Sequence, residues 1–296
     1  MKAFITLLRQ ELVVMARNGV PLVLAIVLAA SAGSVHAVRA VDDANQRAVA
    51  RVGQQVGQQV GQQVGQQVGS AAGIAGSESF EAGGWTVTVV ERGPESNAAE
   101  PDQSLADSLV LALLVFEVLV LGFLFVAVGL FQELGEGSLR AYRLSPGGQL
   151  RWMAARYALW VGASLAYATA FLASSFVWPG WQSLAGLLAV TALGSLVMTA
   201  LGLTIAVFSG GMSGWFIPAV GILMVNMAPM GLADGYPVAY WLTPGGAALA
   251  GYRSLFGMGR PGMTGASILW LGTAAVVALP LSWWAVRTRV FKEGRR

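Results

Sequence analysis

The sequence predicts an all-α integral membrane protein with six transmembrane helices. Of its 296 residues, 55% are hydrophobic and only 11% are charged, and the mean hydropathy is +0.63. A soluble protein of this size needs more charge to cover its surface. Six apolar stretches also approach the roughly 20 residues that a helix needs to cross a bilayer. They lie near residues 20–37, 108–131, 153–177, 183–208, 213–230 and 267–287.

The composition excludes several classes of function. The chain has no cysteine and one histidine, His36, so it offers no thiolate or multi-histidine metal site and no serine-histidine-acid catalytic set. No Gly-x-x-x-x-Gly-Lys-Ser/Thr run is present to cradle nucleotide phosphates. The net charge of +3 reflects basic clusters at membrane edges. We therefore expect no enzyme, no cofactor bound by this chain and no nucleic-acid partner.

The N-terminal residues 1–19 predict a cytoplasmic amphipathic helix that lies in the membrane interface, because apolar and charged side chains alternate at helical spacing. It leads at Asn18-Gly19 into the first transmembrane helix, residues 20–37. A secretory signal peptide is the alternative, since "SVHA" offers a weak cleavage pattern. Glu11 and the length of the preceding segment favour a retained helix.

The distribution of basic residues predicts the orientation. Twelve of the eighteen Lys and Arg residues lie in the N-terminal segment, the connection after the second span and the C-terminal tail. The positive-inside rule then places both termini in the cytoplasm and the chain in the inner membrane as a multi-pass protein. Eight of the ten tryptophans fall near predicted span ends, as expected for contact with the lipid headgroups.

The long polar region, residues 38–107, is predicted to be an extracytoplasmic loop. It contains four copies of Val-Gly-Gln-Gln plus a final Val-Gly at residues 52–69. A period of four drifts around a helix, and each glycine costs about 1 kcal/mol relative to alanine, so a stable helix is not expected there. A flexible linker, a loosely formed helix and a partner- or glycan-binding arm remain open. Alternation around Trp85, in residues 83–93, predicts a short strand.

The remaining five spans, within residues 108–296, contain two stripes of small or hydroxyl residues. The third span has small residues at every fourth position, which predicts a helix-packing face. Its central members are Ala158, Gly162, Ala166 and Ala170. The fourth span carries Thr191, Ser195 and Thr199 at the same spacing. Ordinary packing inside the bundle and the lining of a substrate path are the two interpretations of both stripes.

Polar side chains inside spans are further candidates for a translocation path. Glu117 lies about ten residues into the second span, where a charge costs on the order of 2.5–3.5 kcal/mol. It should be paired, protonated or directed at a polar cavity, in a functional or a passive role. Asn226 lies in the fifth span, which prolines should kink. The following residues, 236–262, predict short interfacial or re-entrant helices that form an outer gate or merely cap the bundle.

The charged connection at residues 132–148 interrupts two long apolar runs. Glu133, Glu136, Arg140 and Arg143 fall on a predicted short helix that ends at a Ser-Pro-Gly-Gly turn. A rigid charged helix between two spans is suited to transmit force from a soluble partner. The alternative is a simple solvated connector.

The layout and this connection resemble the permease subunit of type-two ATP-binding cassette (ABC) transporters, and are most similar to permeases that export drugs of the fluoroquinolone kind. That family typically has a Glu-x-Gly-Thr-Leu-Glu-like run followed by Thr-Pro or Ser-Pro. The chain departs from the pattern at Arg140, where the family usually has a second glutamate. The corresponding residues here are Glu136, Gly137, Ser138, Leu139, Ser145 and Pro146.

The resemblance covers the chain except for the Val-Gly-Gln-Gln repeat. It implies an exporter in which ATP and Mg²⁺ bind to a separate ABC ATPase subunit, which would dock on residues 132–148 as on a cytoplasmic coupling helix. It also implies a second permease subunit, as a homodimer or a heterodimer, and an amphipathic small molecule such as a drug as the substrate. An ATP-independent secondary transporter or channel is the competing expectation.

Overall fold

The computed structural model describes most of the chain. The described residues are 6, 9, 13, 20–68, 79–82, 85–88, 105–144, 147–175, 181–232 and 237–292. They form two compact units, one made of Met1–Val35 with Leu109–Arg296 and the other of His36–Ser108. Of the predicted interfacial helix, only Thr6, Arg9 and Val13 are described, and all three are helical and exposed.

The predicted all-α membrane class is confirmed, because helices dominate the described residues and five of them are long and apolar enough to cross a bilayer. The chain is therefore a multi-pass membrane protein. The five candidate spans are Ala25–Ala48, Asp107–Glu136, Gly148–Ser175, Ser183–Phe208 and Met263–Phe291.

The predicted count of six spans is not reached. The stretch expected at 213–230 forms a helix of only 16 residues, Met212–Met227, which falls short of a bilayer crossing by itself. A second short helix, Pro229–Leu232, follows after Ala228. Pro229 has no N–H for the helical hydrogen-bond ladder, so one hydrogen bond is missing where the two pieces meet.

The first unit consists almost entirely of helices. Helix α1 begins at Val20 and reaches into the second unit. The other elements, in chain order, are α2 (Leu105–Glu136), α3 (Leu139–Leu144), α4 (Gly148–Ser175), α5 (Trp181–Phe208), α6 (Met212–Met227), α7 (Pro229–Leu232), a 3₁₀ turn (Pro237–Trp241), α8 (Pro244–Leu255), α9 (Met263–Ala285) and a π-helical end (Val286–Lys292). The 3₁₀ turn and α8 agree with the short helices predicted for residues 236–262.

Glycines let α2 and α5 approach each other closely. A Cβ atom on Gly202 of α5 would lie 2.5 Å from the carbonyl oxygen of Phe123, and one on Gly194 would lie 2.9 Å from Val118. From the other side, a Cβ on Gly122 of α2 would lie 2.8 Å from the Thr199 hydroxyl oxygen. These distances leave no room for a larger residue, so the backbones themselves form the contact at the centre of the bundle.

The small-residue stripe on α4 faces outward, and its role as a helix-packing face stays a prediction. Ala158, Gly162, Ala166 and Ala170 are all exposed, and a Cβ on Gly162 would meet nothing within 4 Å. The opposite side of α4 is buried instead and carries its large aromatic residues, such as Trp160. Large apolar side chains fill the interior of the bundle better, which turns the small ones outward.

The second unit begins with the continuation of α1, which is helical from Val20 to Val68 and so runs through most of the Val-Gly-Gln-Gln repeat. The expectation that the repeat forms no stable helix is wrong over residues 52–68, and the polar loop begins later than residue 38. Extending a helix that is already nucleated costs less than starting one, and glutamine is a good helix former. Strands β1 (Ser79–Ala82) and β2 (Trp85–Thr88) pair antiparallel, with Ser79 opposite Thr88, which confirms the predicted strand at Trp85.

Candidate functional site

The connection between α2 and α4 folds as a compact helical corner. Gly137 has a φ of 71°, a left-handed conformation that ends α2, and Gly147 has a φ of 65° just before α4. Between them lies α3, whose first residue, Leu139, is buried, while its last, Leu144, is exposed. Pro146 lies outside the described residues. The two glycines allow the chain to turn into and out of a six-residue helix.

The charged residues predicted for this connection lie in different environments. Glu136 is exposed at the end of α2 and accepts a hydrogen bond from Gln132 Nε2 at 3.0 Å. Arg140 and Arg143 lie on α3. Glu133 lies one turn before Glu136, and its side chain is only 12% exposed. The structure therefore separates the half-buried Glu133 from the exposed Glu136.

Glu133 belongs to a buried cluster, here called the corner cluster, with Trp152 and Arg156 of α4. Its carboxylate forms an ion pair with Arg156, whose side chain is 4% exposed, and it accepts a hydrogen bond from Trp152 Nε1 at 2.7 Å. The Arg156 guanidinium carbon lies 5.6 Å from the centre of the Trp152 ring. The cluster joins the end of α2 to the start of α4, on either side of α3 in the chain.

A glycine in α2 makes room for the arginine of this cluster. A Cβ atom on Gly129 would lie 2.7 Å from Arg156 Nη1, so a side chain at that position would displace the guanidinium. Sequence reasoning did not identify Arg156 and Trp152 as site residues. It interpreted Arg156 only as one of the basic residues that set the membrane orientation, and Trp152 only as a tryptophan in contact with lipid headgroups. The available signal was an arginine already inside a predicted span, where a charge needs a partner.

Glu117 forms a second buried acidic site, in the middle of α2. Its side chain is buried and lies beside the hydroxyl group of Tyr167 on α4. Tyr167 is in turn hydrogen-bonded to Ser31 of α1, with 3.2 Å between the two oxygens. Among the described residues, the carboxyl oxygen Oε1 of Glu117 has no hydrogen-bond partner. The structure places one hydroxyl group, that of Tyr167, beside the carboxyl group, and a role of Glu117 in a translocation path stays a prediction.

The other residues predicted for a translocation path are buried, but they belong to separate packing contacts. The Thr191 hydroxyl is 2.8 Å from that of Tyr252 on α8, and the Ser195 hydroxyl is 2.9 Å from that of Ser164 on α4. Thr199 faces the backbone of α2 at Gly122. These contacts favour the packing interpretation of the hydroxyl stripe.

Asn226 connects α6 to α8. Its Oδ1 accepts a hydrogen bond from the Gly245 N–H at 3.0 Å, while its Nδ2 donates to the carbonyl oxygen of Ile222 at 2.9 Å. Thr243 caps the same helix start by accepting from the Gly246 N–H at 3.0 Å. Asn226 therefore satisfies a buried helix terminus, and it does not touch Glu117 or the hydroxyl stripe in any contact described above.

Among the described residues, no three His, Asp or Glu side chains come together as a metal site. No protein-family model, no curated protein and no solved structure matches the chain. The functional argument therefore depends on the geometry of the corner and of the bundle.

Proposed function

We propose that the chain is the permease subunit of an ABC exporter, which moves an amphipathic small molecule across the inner membrane and is powered by a separate ATPase subunit that binds ATP and Mg²⁺. The observation that carries this proposal is α3: a short charged helix between two long membrane helices that an ion pair, Glu133 with Arg156, joins to each other. A solvated connector would need neither a helix nor a buried anchor. An element that transmits the movement of a partner subunit to the membrane helices needs a rigid helix and a firm attachment to those helices.

The docking surface for the ATPase consists of the outer residues of the corner. Glu136 is exposed, and Arg140 and Arg143 lie on α3, so they supply charges of both signs to a soluble partner. The sequence position of Glu133 predicts a docking role for it as well. Its burial against Arg156 makes it a positioning residue that holds the corner together.

In this proposal, α6 and α7 together make the sixth crossing, so that both termini lie in the cytoplasm. Ala228 between them keeps helical backbone angles, and its N–H donates to the carbonyl oxygen of Met224 at 3.0 Å. At 1.5 Å per residue, a continuous helical path over residues 212–232 rises roughly 30 Å, the thickness of the hydrocarbon core. The basic clusters then all lie on one side.

A second permease subunit would pack on the outward stripe of α4. Ala158, Gly162, Ala166 and Ala170 are exposed on α4 and would let another helix approach closely. Either an identical copy or a related permease could supply that helix.

Co-purification and coupling test the proposal. The tagged full chain should bring down an ATP-binding partner from its native membrane. Replacing Glu136 and Arg140 together by Ala should lower ATP-dependent export roughly tenfold or more, because truncating charged interface contacts typically costs over 1.4 kcal/mol. Arg151→Ala, an exposed arginine at the start of α4, is the control and should keep export. Unchanged export by the double variant would contradict the docking assignment.

Glu117 supports the competing function, a secondary transporter or channel that needs no ATPase. A buried carboxyl group with an unpartnered oxygen is the kind of group that such proteins use on an ion or proton path. Transport by the chain alone in nucleotide-free proteoliposomes, lost in Glu117→Gln, would favour this function. No transport without the partner and ATP would favour the exporter.

A further inference from the structure

An apolar groove of about 740 Å³ lies between α5, α9 and the start of α8, on the outside of the bundle. Its walls include Val197 and Leu201 from α5 and Val277 and Leu281 from α9. Apart from two tryptophans, the only lining residue with a polar side chain is Thr273, whose hydroxyl already donates to its own helix. The groove therefore suits a hydrocarbon chain and offers almost nothing to a polar ligand.

One end of the groove leads to a basic aromatic cluster. On α9, Trp284 lies one turn beyond Leu281, and on α5, Phe208 lies two turns beyond Leu201, so both continue the lining faces. The Phe208 and Trp284 rings are 6.3 Å apart between centres. The guanidinium carbon of Arg289 lies 5.4 Å from the centre of the Phe208 ring.

A second arginine lies at the same end. The guanidinium carbon of Arg287 lies 4.9 Å from the centre of the exposed Trp283 ring, and both arginine side chains are exposed. They lie near the end of the candidate span Met263–Phe291, where tryptophans meet lipid headgroups. Guanidinium groups bind phosphate in bidentate geometry. The groove and this end thus match the two parts of one molecule, a long hydrocarbon chain and an anionic phosphate.

We propose that the groove holds an acyl chain of an anionic phospholipid, with its phosphate at the end where Arg289 lies over Phe208 and where Arg287 adds a second positive charge. This site is separate from the proposed transport function and does not depend on it. A second copy of the chain is a poorer occupant of the same groove. In a membrane dimer, both copies have the same orientation, so a contact through this face would bring their arginines to one depth and crowd like charges.

Native mass spectrometry of the full chain, purified in detergent and stripped of lipid, tests the headgroup contact. Titration with dioleoyl phosphatidylglycerol should give one preferred adduct, and dioleoyl phosphatidylcholine should bind roughly tenfold more weakly, since it carries no net charge. The double variant Arg287→Gln, Arg289→Gln should remove that preference. The control Arg151→Gln, Arg260→Gln makes the same charge change at two exposed arginines outside the groove lining and should keep it.

Two neighbouring valines of α9 test the groove itself. Val277 lines it and is 66% exposed, whereas Val276 does not line it and is 72% exposed. Val277→Trp should fill the groove and abolish the preferred adduct, while Val276→Trp should leave it unchanged. Equal lipid binding by both variants would overturn the proposal. Retained lipid together with a changed oligomeric state in Val277→Trp would also overturn it, because a second copy would then occupy the groove.

Discussion

Two glutamates of the same helix, the buried Glu117 and the half-buried Glu133, differ in how their charge is compensated. Glu133, at the end of α2, has an arginine and an indole N–H as partners. Glu117, four turns earlier, has a tyrosine hydroxyl nearby and one carboxyl oxygen without a partner. The first arrangement fixes a negative charge in place and so holds two helices together. The second leaves a carboxyl group with a neutral hydroxyl group and no ion-pair partner among the described residues.

The largest effect should follow from removing the cation of the corner cluster. Arg156→Ala leaves Glu133 buried without its counter-charge, and breaking a buried ion pair in this way costs about 3–5 kcal/mol of unfolding free energy. Reversible unfolding in mixed detergent micelles measures the loss. Arg151→Ala, an exposed arginine one turn earlier, should change stability by less than about 0.5 kcal/mol. Equal losses in both variants would show that the buried pair has no special role.

A smaller loss should follow from crowding the same arginine. Gly129→Ala places a methyl group 2.7 Å from the position of Arg156 Nη1, and we expect a cost of about 1–3 kcal/mol from the displaced guanidinium. Gly135→Ala, in the same helix with nothing within 4 Å, is the matched control. It should be neutral or stabilising by up to about 1 kcal/mol, because alanine favours helix over glycine. The same unfolding assay applies, and a stabilised Gly129→Ala would contradict the described contact.

The smallest effect should come from Glu117. Glu117→Gln keeps the side-chain volume and a hydrogen-bonding group beside Tyr167, and it leaves no buried cation unpaired, so stability should fall by less than about 1 kcal/mol. Glu133→Gln is the comparison, and it should lose clearly more because Arg156 then lies buried beside a neutral amide. If both variants unfold at the same denaturant concentration, the two glutamates are equivalent and the contrast between them fails.

The fold class could be predicted because long apolar stretches are a local signal that the bilayer imposes on any crossing helix. The ends of helices were less predictable. Helix α1 continues into a glycine-containing repeat because it is already nucleated, and residues 213–230 divide at a proline that hydropathy averages over.

The candidate site was predictable only in part. The cost of a charge inside a membrane identified Glu117 as exceptional, but its neighbour Tyr167 comes from another helix and leaves no mark near it in the sequence. The ion pair of Glu133 with Arg156 was not predicted for the same reason, because Arg156 lies on another helix. The position of Glu133 near Glu136 instead suggested that both glutamates have the same role. The stripe on α4 was recognisable as a small-residue face, but a pattern along one helix does not reveal whether its partner lies in the same chain.

The brevity of α3 has a consequence for any subunit that binds it. Six residues are too few to hold a helix in water alone, so α3 stays wound only because Leu139 is inserted into the bundle. If α2 and α4 were to move apart and expose Leu139, α3 would unfold. The surface that α3 presents to a binding subunit would then be lost. The two equilibria are coupled. A protein that binds α3 only in its helical form must therefore also favour the arrangement of membrane helices in which Leu139 is buried.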